Sequence, residues 1–328
     1  MFEGYIVELN DYLFDNPFNI KNLDLLKSEF GKNPSLFVPF IGAGPSKVLG
    51  ASDWYYLLKD LYKSFSLKTT LPMGKNRIKY HKRFSDLYKK LDEEKRKHFF
   101  ENIFKFIRAT QTNYTAFHIE LVKLFQAFIT TNYDSPIEKA FIEKKNKSLS
   151  KYYFTHSDIS KLKDGIIYLH GHEDTGFVII RTEEYNYFYP SVHNKKGISI
   201  LEDFLIELFK TMNVIFIGFS FDDLYIKNFI HYIYVNVVKD SPESFKQYHF
   251  WLIDETVKAF DETKQKAKIH TENGRTTEAE SEYSKFFTGN LNIRPIVYKK
   301  DQHIFVENLF KTLYKPQPEP MTVYDPSN

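Results

Sequence analysis

An α/β fold built on a doubly wound, mainly parallel sheet is predicted by two features of the chain. Short runs rich in Phe, Ile, Val and Leu alternate with longer stretches of helical periodicity, as parallel strands covered on both faces alternate with their crossover helices. Four small-residue or polar signatures also stand at the carboxyl ends of four of those runs, where ligands gather in such sheets. Together they predict a Rossmann-like architecture.

The first strand is read at 35–41 and the second at 127–130, followed by 165–169, 213–217, 248–253 and 293–298. Gly, Asn or polar clusters bound each run. Helices are read at 53–66, 83–109, 115–125, 199–212, 223–238 and 303–313. The interval 67–126 is too long for a simple crossover and reads as a helical insertion, a lid or an interface. Within 1–314 this gives a single domain. The stretch 258–284 is polar and charged and reads as exposed helix plus loop. The tail 315–328, with Pro316, Pro318 and Pro320, reads as extended or disordered.

The 328 residues include 42% apolar side chains, with 32 Phe and 23 Tyr, enough for a large core. A net charge of +3 with no basic stripe gives no basis for direct nucleic-acid binding. With no cysteine, disulfides, thiolate catalysis and Cys-based zinc sites are excluded. The histidines lack metal-ligand spacing, so no metal is expected. Neither a secretory leader nor a run approaching the ~20 apolar residues of a membrane span is recognisable. The expected location is the cytoplasm.

The first signature, Gly42-Ala43-Gly44-Pro45-Ser46, joins a strand to a helix. Its glycines permit a tight turn and close approach of backbone to a pyrophosphate, and Ser46 adds a hydroxyl. A plain strand-to-helix turn would look the same. In Thr131-Asn132-Tyr133-Asp134, Asn132 can orient a ribose hydroxyl or a water, being both donor and acceptor. Asp134 can fix Asn132, or both can merely cap the helix that Ser135-Pro136 begins. His170-Gly171 places an imidazole at a strand mouth, suited to general-base work. His172 competes for that role, and strand alternation puts it on the same side as His170. Gly218-Phe219-Ser220 is a turn able to receive phosphate or ribose oxygens, with Asp222 and Asp223 reading as helix caps. Glu183-Glu184 opens an aromatic stretch, 185–189, read as a packed helix. Asp254 ends a strand and reads as a surface turn or an adenosine-ribose contact.

As an ordered set these signatures resemble the sirtuin family, whose members carry a Gly-Ala-Gly-x-Ser loop, a Thr-x-Asn-x-Asp segment, a catalytic His before Gly, and a Gly-x-Ser loop. The resemblance spans 38–238 and extends toward the last two strands. Deacylating sirtuins carry a four-Cys zinc module and a Phe-Arg pair after the glycine loop. This chain has neither, and Trp54-Tyr55-Tyr56 follows instead. It is more similar to the zinc-free sirtuin-like domains of bacterial antiphage systems, as is the run from Leu169-His170-Gly171 through Val178 to Tyr185.

That resemblance implies an NAD+ glycohydrolase releasing nicotinamide and ADP-ribose, with NAD+ as substrate. Asn132 and His170 would be catalytic. Gly42, Ala43, Gly44, Ser46, Thr131, Asp134, Gly218 and Ser220 would bind the dinucleotide. It also implies control by homo-oligomerisation or by a separately encoded protein (an ATPase, an Argonaute-like protein or a nucleotide-sensing enzyme). A zinc-free deacylase or ADP-ribosyltransferase, and a non-enzymatic NAD or ADP-ribose sensor, are the alternatives.

Overall fold

The computed structural model describes residues 9–13, 17–50, 54–68, 80–110, 113–153, 159–190, 199–219, 224–233, 237–238, 242–254, 293–299 and 303–314. Ser220, Asp222, Asp223, the stretch 258–284 and the tail 315–328 lie outside them.

Seven parallel strands form the main sheet: β1 (Phe37–Ile41), β2 (Phe128–Thr130), β3 (Ser150–Tyr153), β4 (Gly165–Tyr168), β7 (Asn213–Ile217), β8 (His249–Asp254) and β9 (Ile293–Tyr298). A two-stranded antiparallel hairpin comprises β5 (Gly171–His172) and β6 (Phe177–Val178). The main sheet runs β3-β4-β2-β1-β7-β8-β9, so the four strands carrying the signatures are adjacent at its centre. All six expected strands are present, and β3 is a seventh that the sequence reading missed.

Alternation along the central strands builds two cores. Val38, Phe40, Ile167, Leu169, Val214, Phe216, Trp251 and Ile253 face one side, against α9 (Thr182–Phe188), α10 (Ile200–Thr211) and α11 (Leu224–Ile233). Phe37, Ile41, Ile166, Tyr168, Ile215, Ile217, Phe250 and Leu252 face the other. That side is covered by α1 (Pro17–Lys32), α7 (Ala116–Leu124), α8 (Pro136–Lys145) and α12 (Ile304–Leu313). Helices on both faces of a parallel sheet are the doubly wound arrangement. Asn19 of α1 donates to Val297 O and accepts from Val297 N, while Asn22 donates to Pro295 O, satisfying the outer edge of β9.

The helical module has its own small core. It follows α2 (Gly44–Val48) and consists of α3 (Trp54–Ser64), α4 (Tyr80–Lys90), α5 (Glu93–Lys97) and α6 (Phe99–Thr110). Leu58, Leu61, Phe84, Leu87, Phe99 and Ile103 form its centre, joined by Tyr133, Val178 and Ile180 from the sheet side. The single helix expected over 83–109 is therefore three. Asp92 caps α5 by accepting from Lys95 N, and a turn at His98 precedes α6. Among the described residues no helix is long and apolar enough to cross a membrane.

Candidate active site

The glycine loop leaves β1 and immediately meets the loop leaving β7. Gly42 N donates to Ile217 O and Gly44 N to Gly218 O, at 2.9 and 3.0 Å. A Cβ on Gly42 would stand 2.6 Å from Gly218 O, and one on Gly44 would stand 2.6 Å from Gly218 Cα. Gly218 itself has a φ of +62°, which an L side chain rarely adopts. These three glycines are thus required for two backbones to touch. The N–H groups of Gly42 and Gly44 serve that contact and not an outward-facing phosphate. Ala43 is exposed at the crest of the loop, and Thr131, Asn132 and Gly218 are partly exposed around it.

From the end of β2, Thr130 Oγ1 donates to Ile41 O and accepts from Asn132 N, which fixes the chain as it leaves the sheet. Asn132 Nδ2 then donates to Gly42 O at 2.8 Å and to Ser46 Oγ at 3.1 Å. With the amide nitrogen committed inward, Oδ1 is the atom left to accept from a ligand, since no described residue donates to it. Ser46 in turn donates to the Asp134 carboxyl, so the order Asn132–Ser46–Asp134 is a continuous hydrogen-bonded chain. Asp134 keeps some open surface, yet its carboxyl lies deep among protein atoms. Burial pushes it up to about 6, against the smaller opposing effect of the Ser46 bond.

The capping role that the sequence also allowed to Asn132 and Asp134 is not what they perform. Ser135 is the N-cap residue of α8, and its hydroxyl bonds His172 in place of the helix N–H groups. Tyr133 turns the opposite way, donating to Ile179 O at 2.8 Å and packing edge-on against Trp54 of α3.

His170 leaves β4 next to the Asn132 loop, because Leu169 N donates to Thr130 O across the strand ends. Its ring is only 1% exposed. Nε2 lies 2.9 Å from the Tyr189 hydroxyl, and the Tyr185 ring meets it edge-on at 5.3 Å. Tyr185 stacks on Tyr225 at 4.3 Å, and His81 of the helical module meets Tyr225 at 5.2 Å. The aromatic helix expected at 185–189 is therefore α9, and it walls in the histidine.

His172 does not share this environment, which corrects the alternation argument. Gly171 has a φ of +89°, so the backbone turns between the two histidines. His172 packs on Tyr168 and Tyr153, side chains of the opposite core, with ring centroids 4.4 and 6.4 Å apart. Sequence reasoning had no signal for Tyr185, Tyr189 or Tyr168 as neighbours of the site, because each reaches it through tertiary packing.

The remaining candidates are simply placed. Thr131 N donates to Ile41 O at 3.3 Å. Asp254 ends β8 and is 9% exposed; burial, with the nearby Asp254 adding to it, raises Tyr298 above its ordinary range. Ser220 is outside the described residues. Among the described residues no group of three or more His, Asp or Glu is placed to hold a metal.

The crevice thus brings together a crest of backbone at Ala43, an accepting amide oxygen at Asn132 and an imidazole at the end of the adjacent strand. Residues 126–275 match the family model described as SIR2-like domain, a span that takes in Asn132, His170 and Gly218 and begins after the glycine loop. No curated protein matches the chain.

Proposed function

We propose that this SIR2-like domain is an NAD+ glycohydrolase that splits NAD+ into nicotinamide and ADP-ribose. The observation that carries the reading is the commitment of Asn132 Nδ2 to Gly42 O and Ser46, with His170 on the neighbouring strand end. Such a pair can act on a ribose held over the glycine loop. Asn132 Oδ1 accepts from a ribose hydroxyl or from the attacking water. His170 takes the proton released when water, or a ribose hydroxyl, bonds to the anomeric carbon as nicotinamide leaves with the glycosidic electrons. Positive charge develops on the ribose in that step, and above about pH 6 the ionised Asp134 behind Ser46 favours it electrostatically.

The enclosure of His170 fits an enzyme held off until needed. A substrate reaches that imidazole only when the surrounding shell opens. With the resemblance to antiphage sirtuin-like domains, this supports an NAD-depleting effector gated by oligomerisation or by a separately encoded partner. The test is nicotinamide and ADP-ribose release from NAD+ by purified protein, without acyl peptide, alone and with the products of neighbouring genes. Asn132→Ala and His170→Ala should each lower turnover by about 10²–10⁴-fold while the far-ultraviolet spectrum is unchanged. Wild-type turnover in either variant removes the assignment. Nicotinamide release that requires an acyl peptide would instead establish a deacylase.

A further inference from the structure

The loop carrying Asn132 is also held from the opposite face of the sheet. Tyr168, fully buried on β4, donates to Glu138 Oε2 at 2.6 Å and shares that proton with Asp134 O at 3.2 Å. His172 Nδ1 accepts from Asp174 N at 3.2 Å, which leaves the proton on Nε2, 3.0 Å from Ser135 Oγ. Burial holds His172 below its ordinary value, consistent with that neutral tautomer, although Glu138 and Asp174 oppose the effect. Lys151 of β3 bridges Glu138 Oε1 and Asp174 Oδ2, both at 2.7 Å, and so closes the cluster. Every polar group in it has a partner.

These bonds land on two consecutive residues, Asp134 and Ser135, and on the first turn of α8. We propose that Tyr168 and His172 are positioning residues, which hold the Asn132–Ser135 loop against the glycine loop from the opposite face of the sheet. The proposal rests on the NAD+ reading for its effect on turnover, though not for its effect on the loop. Without the Tyr168 hydroxyl, Asp134 O and Glu138 Oε2 lose their donor, and α8 can shift relative to β4. A displacement of about 1 Å in a catalytic group is enough to cost on the order of 10²-fold in rate.

Two measurements on the full chain test this. Tyr168→Phe and His172→Leu should each lower kcat for NAD+ cleavage about 10–100-fold with KM within about 2-fold. His172→Gln, whose amide can donate where Nε2 does, should restore most of kcat. Independently, hydrogen exchange of a peptide covering 130–138 should quicken in Tyr168→Phe, while peptides from β1 and β7 keep wild-type protection. Unchanged exchange in that peptide, in a folded Tyr168→Phe protein, overturns the proposal. So does quickened exchange with unaltered kcat, or His172→Gln as impaired as His172→Leu. Should wild-type protein cleave no NAD+ under any condition, the glycohydrolase reading fails, and the exchange comparison alone decides whether these residues position the loop.

Discussion

Replacing Asp134 by Asn isolates the energetic consequence of keeping a carboxyl inside the Asn132–Ser46–Asp134 chain. The folded protein raises Asp134 from the ordinary carboxyl value of 3.8 to about 6, chiefly by burial. A shift of that size corresponds to about 3 kcal/mol favouring the protonated form. Because the folded state binds this proton more tightly than the unfolded chain, stability falls as pH rises from about 4 through 6, and the full cost is present above 6. The amide in the Asp134→Asn variant does not titrate. At constant pH the variant also loses one acceptor oxygen, costing about 1 kcal/mol, so the net effect at pH 8 is a gain of about 1–2 kcal/mol. The comparison across pH is cleaner, because that packing cost cancels. Relative to wild type, Asp134→Asn should gain about 2–3 kcal/mol between pH 4 and pH 8, on the order of 5 °C in apparent midpoint for a chain of this size. Thermal unfolding followed by circular dichroism at several pH values measures this. Curves that stay parallel from pH 4 to pH 8 would refute the reasoning. On the glycohydrolase reading, the same titration predicts that wild-type turnover rises as pH passes through about 6, and that Asp134→Asn loses this rise.

Two further substitutions probe how the site is assembled. Gly44→Ala puts a methyl 2.6 Å from the Gly218 backbone, which cannot move aside as a flexible side chain could. It should lower stability by about 2 kcal/mol or more, seen as a lower unfolding midpoint. Arg181 is ion-paired with the buried Glu184 and lies over the Tyr88 ring at 3.8 Å. Arg181→Ala should cost roughly 2–4 kcal/mol and quicken hydrogen exchange in 80–110 more than in the sheet.

The central strands could be read from the sequence because burial on both faces makes them continuous apolar runs. β3 escaped for the converse reason: Ser150-Lys151-Tyr152-Tyr153 lies at the sheet edge, with its first two residues exposed. α1 escaped because Asn19 and Asn22, which look like surface residues, are buried against the backbone of β9. The placing of the four signatures at strand ends was legible, since it depends only on which runs are strands, whereas their adjacency follows from the strand order β4-β2-β1-β7. The separation of His170 from His172 was not. It turns on one positive φ at Gly171, and that in turn sends the two rings into different cores. Nor does any local pattern show that the Gly42 and Gly44 amides serve Gly218 and its neighbour.

The four residues from Asn132 to Ser135 are each anchored to other segments. Asn132 goes to Gly42 and Ser46, Tyr133 to Ile179 and to Trp54 of the helical module, Asp134 to Ser46 and Tyr168, and Ser135 to His172. Such a loop has little freedom to move by itself, so its position changes only if one of its anchors does. The helical module is the largest of them, and swinging it away would uncover Tyr133, Val178 and Ile180, now 8%, 0% and 1% exposed. At about 1.5–3 kcal/mol for each buried side chain, that exposure alone costs roughly 5–9 kcal/mol. It also breaks the Ser85–Glu183 bond and the Arg181 contact with Tyr88. Thermal fluctuation alone leaves such an open state populated far below one part in a thousand. Any ligand or partner that opens the crevice by this route must therefore bind the open form with a differential affinity of that order. A weaker effector has to act through smaller movements, and Tyr133, which joins the Asn132 loop to the module, is where such a movement would reach Asn132.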